Sequence, residues 1–312
     1  MIKKTLYFGN PAYLSLKDDQ LVVRLPEVEK VDDLPEIIRK SAVRTIPIED
    51  IGFVVLDHRQ ITITHGLIEK LLDYSVAVMS CSCNGMPQGM LLPLAGNTIQ
   101  NERFRSQLDA SVPLKKQLWQ QTVQRKIENQ AIALARCSGI ENRCMLTWSD
   151  EVKSGDSTNV EARAAVYYWK NFFPMFPDFI RNREGDCPNN LLNYGYAILR
   201  AVVARSLVVS GLLPTLGIHH HNRYNAYCLA DDIMEPYRPF VDELVYNIVN
   251  ELDGNIELDR SVKAKLLVIP TLDVKINERK SPLMIAVGQT TASLVKCFRG
   301  EMRKIRFIRH FE

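Results

Sequence analysis

The sequence is poor in three things: net charge, paired cysteines and long apolar runs. A formal net charge of +3 over 312 residues excludes a strongly polyionic or disordered chain, and 46% hydrophobic residues suffice for a substantial core. No apolar run has the length expected of a membrane span, and none follows a basic start as a signal peptide does. A soluble cytoplasmic protein, with no membrane partner, is therefore expected. The seven cysteines, Cys81, Cys83, Cys137, Cys144, Cys187, Cys228 and Cys297, are odd in number and scattered, which excludes a disulfide framework. Reduced, buried thiols are expected. Cys81 and Cys83 have no second pair at zinc-ligand spacing, so structural zinc is not expected. Internal repeats and low-complexity segments are also absent.

What charge there is lies unevenly. Residues 1–97 hold 10 Lys+Arg against 12 Asp+Glu, so the remainder holds 29 against 24 of the totals of 39 and 36. The tail, 296–312, carries Lys296, Arg299, Arg303, Lys304, Arg306 and Arg309 against Glu301 and Glu312. A basic C-terminal half fits contact with a polyanion, although on charge alone a solvated helix face is the simpler reading.

The chain divides by texture. From Met1–Phe8 to residue 95, short β-branched runs alternate with turns. Ala12–Lys17 and Gln20–Leu25 flank Asp18-Asp19 as a hairpin, and Thr45–Ile48, Gly52–Leu56, Ile61–Thr64 and Val76–Met79 follow. Such strands predict a small sandwich, with His65–Asp73 as one helix packed on a sheet. Beyond Pro93-Leu94-Ala95-Gly96-Asn97 the periodicity becomes helical. Leu114, Leu118, Val123, Ile127 and Ile132 recur about a turn apart. Residues 151–158 have the composition of a flexible polar loop. Val160–Phe173 predicts a helix capped by Thr158 or Asn159, and Leu191–Val209 is apolar nearly all round, as a buried central helix is. A last helix is expected to align Leu294, Phe298, Met302, Ile305 and Ile308, with its basic residues opposite. The fold class expected is α+β in two domains: a β-sandwich-like domain over 1–95 and an all-α domain over 96–312.

Two segments carry candidate chemistry. Gly217-Ile218-His219-His220-His221-Asn222 precedes Asp231-Asp232-Ile233-Met234-Glu235-Pro236. Asp232 and Glu235, three apart, share a helix face, and two carboxylates beside an imidazole repel unless a cation lies between them. Oxygen ligands favour Mg²⁺ or Mn²⁺, and an imidazole tilts the choice toward Mn²⁺. On spacing alone, an exposed acidic helix end is the simpler reading. The other segment is Glu161-Ala162-Arg163-Ala164-Ala165-Val166-Tyr167-Tyr168-Trp169, where small neighbours allow close approach to Glu161. In isolation it reads as a surface glutamate opposite an apolar stripe.

Taken together with Asp186-Cys187-Pro188-Asn189-Asn190-Leu191-Leu192-Asn193-Tyr194-Gly195-Tyr196, and with Glu235 running into Pro236-Tyr237-Arg238-Pro239, these segments resemble the CRISPR-associated integrase family, the first-numbered Cas protein of spacer acquisition. Their order and spacing match over the whole chain, and the wording from Asn225 to Pro239 resembles the type II branch. The resemblance implies a metal-dependent DNA endonuclease and integrase. Its metal ligands are Glu161, His220 and Glu235. His220 is chosen from Gly-x-x-His, while His219 and His221 flank it and leave an ambiguity. Asp232 corresponds to a further acidic position, supporting the ligands or serving a second metal. The implied cofactor is Mg²⁺ or Mn²⁺. The implied partners are spacer and repeat DNA, a second copy through the β domain, and the small second-numbered Cas protein in a hetero-hexamer. Arg163, Arg238, Arg299, Arg303, Lys304 and Arg306 are candidate phosphate contacts, although Arg238 could equally pair with Glu235 or Asp242 inside the fold. Two rivals remain: a non-catalytic DNA-binding scaffold, and a zinc hydrolase using the His219-His220-His221 run. Consecutive histidines point in different directions, which weighs against the second.

Overall fold

The computed structural model describes residues 3–26, 43–252 and 256–310. Residues 1 and 2 of the expected opening strand lie outside these. The described chain is mixed α+β and forms two compact units, Met1–Leu94 and Ala95–Glu312.

In the first unit, strands β1 (Lys4–Phe8), β5 (Ile51–Leu56), β7 (Ala77–Cys81) and β8 (Pro87–Leu91) form one four-stranded sheet in that order. Strands β4 (Arg44–Pro47), β3 (Gln20–Arg24), β2 (Ala12–Lys17) and β6 (Ile61–Ile63) form the other. The β2–β3 hairpin turns through Asp18 and Asp19, with φ of 48° and 56°. Aspartate tolerates this left-handed region, which a type I′ hairpin turn requires at both central positions. Leu14 and Leu21 of one sheet, Val54 and Val78 of the other, and Leu67 and Leu71 of helix α1 (His65–Asp73) share one core. The helix thus belongs to the packing of both sheets. Nor are the sheets purely antiparallel: β1–β5, β5–β7 and β2–β6 pair in parallel.

The second unit carries helices α2 (Gln100–Leu108), α3 (Val112–Ser138), α4 (Arg143–Glu151), α5 (Val160–Phe172), α6 (Asn189–Val209), α7 (Cys228–Met234), α8 (Arg238–Leu252), α9 (Arg260–Leu266) and α10 (Leu283–Phe298). Helix α3 starts on the Ser111 hydroxyl, which accepts from the Leu114 amide at 3.4 Å, and stops at Gly139 in the left-handed region. Helix α6 lies at the centre, with Leu192, Leu199, Val203 and Leu207 fully buried. Contrary to the sequence reading, its 21 residues are long and apolar enough to cross a bilayer by length and composition, but 67% of that stretch is buried in the fold. Its Gly195 lies so close to α8 that an added Cβ would stand 2.6 Å from Val241 Cγ1.

Five further expectations are corrected. The second unit is not all-α, because β9 (Asp273–Ile276) and β10 (Arg279–Pro282) form an antiparallel hairpin. The last helix ends at Phe298, before Gly300 with φ of 75°. Residues 301–310 run on without helix, pinned by Gln121 to Arg303 O and Ile305 N at 2.9 Å each, and by the Lys275–Arg309 bridge. Residues 151–158 are structured: α4 reaches Glu151, and a short 3₁₀ turn spans Ser154–Asp156. Asp156, not Thr158 or Asn159, caps α5, accepting from the Val160 and Glu161 amides at 2.8 and 3.0 Å. All seven cysteines are free, but only Cys228 and Cys297 are buried, and Cys83 is exposed.

Candidate active site

Helix α3 is the backbone of the site. Trp119, Val123, Lys126 and Gln130 follow one stripe at helical spacing, and all four are buried or half-buried. Trp119 stacks flat on His219, ring centroids 4.2 Å apart, and meets His220 edge-on at 5.5 Å. Two turns on, Lys126 reaches both glutamates: its Nζ lies 2.6 Å from Glu161 Oε1 and 2.6 Å from Glu235 Oε2.

Glu161 arrives from the first turn of α5, where the positive end of the helix favours an anion. Glu235 arrives from the 3₁₀ turn of residues 235–237 between α7 and α8. Its side chain is 7% exposed. Burial by itself pushes its pKa up, but the charges of Arg238 and Lys126 outweigh burial and hold it down at about 2. Arg238 Nε stands 2.9 Å from Glu235 Oε1 and its guanidinium covers the Tyr196 ring at 4.6 Å. The other Glu235 oxygen, Oε2, faces the Lys126 ammonium.

His220 is set by Asp232, whose side chain is fully buried. Asp232 Oδ2 accepts from the Ile218 and His219 amides at 2.7 and 2.9 Å, and Oδ1 from the His220 amide at 3.3 Å and from its Nδ1. That leaves Nε2 as the other ring nitrogen. The Asp232 hydrogen bond is also the main reason the His220 pKa is raised, with Glu235 and Glu161 adding to it. Gly217 makes the loop possible, since a Cβ there would stand 2.7 Å from Asp232 Oδ2. His219 is spent on Trp119 and its pKa is lowered, mainly by burial. His221 is exposed. A cavity of about 320 Å³ opens beside His220, with Lys115, His221 and Arg223 among its lining.

The structure therefore brings Glu161 and Glu235 to one cation position, with His220 within their electrostatic reach. Among the described residues, no three His, Cys, Asp or Glu side chains stand at metal-ligand spacing, and Lys126 lies between the two glutamates. The donors nonetheless fit a hard divalent cation: two carboxylates, one of them buried, converge on one positive charge. Asp232 has its lone pairs committed to the His220 loop, which suits a supporting role rather than a second metal. The histidine run does not converge, because each ring has a different setting.

The candidate phosphate contacts fall into two groups. Arg163 pairs with Glu151 and covers the Trp148 ring, Arg238 is held by Glu235, and Arg299 pairs with Glu102 at 3.3 Å and Glu301 at 3.0 Å. Arg303, Lys304 and Arg306 are exposed on the non-helical tail. The sequence reading missed Lys126, Trp119 and Asp156. A lysine placed on the apolar stripe of α3 was the available signal for the first.

This architecture is shared by a casposase and by a Cas1–Cas2 complex of known structure. A casposase bound to integration product superposes with a TM-score of 0.78 at 19% identity, over 98% of this chain and 93% of that one. A Cas6-RT-Cas1–Cas2 complex gives 0.70 at 20%, over 96% of this chain and 35% of that one. The chain belongs to the family described as CRISPR associated protein Cas1, which it matches over residues 6–259. It is 33% identical to the CRISPR-associated endonuclease Cas1 of Neisseria meningitidis serogroup C (strain 8013), over 94% of this chain and 91% of that protein.

Proposed function

We propose that this chain is a divalent-metal-dependent DNA integrase and endonuclease that inserts short DNA fragments into a CRISPR repeat array. The observation that carries the reading is the convergence of Glu161 and Glu235 on one cation position, beside a histidine oriented by Asp232. The Neisseria relative's name, an endonuclease, and the casposase's bound integration product support the same chemistry.

Glu161, His220 and Glu235 would hold Mg²⁺ or Mn²⁺. The ion, when bound, stabilises charge on the phosphate and lowers the pKa of an attacking hydroxyl. In the exchange, the 3′-oxygen of the fragment forms the new P–O bond, and another 3′-oxygen leaves with the proton. No protein nucleophile is needed. Arg238 keeps Glu235 ionised, and Asp232 fixes the His220 ring. Lys115 and Arg223 give the adjoining cavity a positive lining suited to a DNA strand.

Fragment insertion requires two joining events, whereas one chain offers one such centre. The proposed assembly is a homodimer through the β unit, with two dimers flanking a dimer of the small second-numbered Cas protein. A Cas1–Cas2 complex among the structural neighbours supports that partner. The proposed location is the cytoplasm.

The test is a joining assay with a short duplex, a supercoiled repeat plasmid and Mg²⁺ or Mn²⁺. Glu161→Gln and Glu235→Gln are expected to abolish joined product while circular dichroism stays that of the folded protein. Normal joining by either folded variant would overturn the assignment. Metal-independent binding without nicking or joining by the unaltered protein would favour a scaffold instead.

A further inference from the structure

We propose that Lys126 is a built-in cation gate, whose ammonium holds Glu161 and Glu235 in register until a divalent cation displaces it. The inference rests on the metal-site reading above and adds a residue to it. Lys126 Nζ lies 2.6 Å from one oxygen of each glutamate, so those oxygens stand no more than twice 2.6 Å, or 5.2 Å, apart. An ion bonded to both at about 2.1 Å needs them within about 4.2 Å, in the same gap. The ammonium and the ion cannot share it, on distance or on charge.

Two features make Lys126 the partner that leaves. Glu235 already has a fixed counterion on its other oxygen, Arg238, which is braced against the Tyr196 ring. Lys126 by contrast ends a flexible four-carbon stem, and its charge is a compact, readily hydrated ammonium. Its side chain is 12% exposed and the Glu161 side chain 23%, against 7% for Glu235, so the way out lies on the Glu161 side. Without a cation of some kind, the two carboxylates would repel across the gap. Lys126 thus preserves the site in the metal-free protein at the expense of metal affinity.

The test follows Lys126 itself. The intact protein is acetylated with an N-hydroxysuccinimide ester and modification at Lys126 is read by mass spectrometry, with and without Mn²⁺. Calorimetry on the same samples measures Mn²⁺ binding. Lys126 acetylation is expected to rise several-fold as Mn²⁺ saturates, and to stay flat in Glu161→Gln and Glu235→Gln. Lys126→Met is expected to bind Mn²⁺ at least about tenfold more tightly than the unaltered protein, and the charge-preserving Lys126→Arg no more tightly than it. Mn²⁺ binding with unchanged Lys126 acetylation would overturn the gate and leave the metal site standing. Absence of Mn²⁺ binding in both the unaltered protein and Lys126→Met would overturn both. An acetylation rise that persists in the glutamine variants would place the cause elsewhere and overturn the gate.

Discussion

Replacing Asp232 with alanine removes the support of the histidine loop at one stroke. Its carboxylate accepts the Ile218 and His219 amides at 2.7 and 2.9 Å from a fully buried position. Hydrogen bonds to a charged acceptor contribute about 1.5–3 kcal/mol each, so these two amides alone amount to about 3–6 kcal/mol. The His220 amide at 3.3 Å and the half-exposed His220 ring add less, because water can replace Asp232 there. In a unit the size of residues 95–312, each kcal/mol moves the melting temperature by about 2–4 °C. Asp232→Ala is therefore expected to melt roughly 10 °C below the unaltered protein. Asp232→Asn keeps one carbonyl oxygen for the amides and is expected to fall about half as far. Both variants release the His220 ring, so Mn²⁺ affinity is expected to drop by about 10–100-fold, as when other supports of ligating histidines are lost. Differential scanning calorimetry and Mn²⁺ titration check the two effects separately. An Asp232→Ala protein that melts within about 2 °C of the unaltered one and binds Mn²⁺ equally well would refute the reasoning.

Acid should act through Glu235, whose pKa is lowered from 4.5 to about 2 in the fold. A lowered carboxylate contributes stability above its unfolded value and loses it as pH falls through the folded one. Stability measured by urea titration is thus expected to fall between pH 4.5 and 2 more steeply in the unaltered protein than in Glu235→Gln. The His220 pKa is raised from 6.5, so its bond to Asp232 contributes most below pH 6.5 and fades as pH rises through the folded value. The stability gap to Asp232→Asn should therefore narrow on going from pH 6 to about pH 9. Neutralising Arg303, Lys304 and Arg306 together should weaken DNA binding and flatten its salt dependence by about two to three phosphates' worth, whereas Arg299→Gln, already paired with Glu102 and Glu301, should do little. Fluorescence anisotropy across a salt series separates the two variants. Gly195→Ala forces a methyl against Val241 and should cost about 1–3 kcal/mol in chemical denaturation.

The elements of this protein were legible where local chemistry decides them. The β2–β3 hairpin follows from Asp18-Asp19 between two alternating runs, and α6 from a stretch apolar on every side. The family was legible too, because its motifs keep their order and spacing along the chain. Legibility failed where a remote partner decides. The apolar stripe of the last helix continues past Phe298 in sequence, but Gly300 stops the helix and Gln121, Ser293 and Lys275 take up the backbone that follows. Asp156 outcompetes nearer residues as the cap of α5 because its carboxylate reaches two amides at once.

The sequence by itself determined which side chains could carry chemistry, since the identity and order of Glu161, His220, Asp232 and Glu235 are properties of the chain. Only the tertiary structure decided what each of them meets. Asp232 became the anchor of a loop, and Lys126, unremarked on a helix 35 residues before Glu161, became the cation between two acids. The reason is physical: spacing along one helix or strand fixes a face. Which charges end a few ångströms apart depends on elements distant in sequence packing together, and no local pattern encodes that distance.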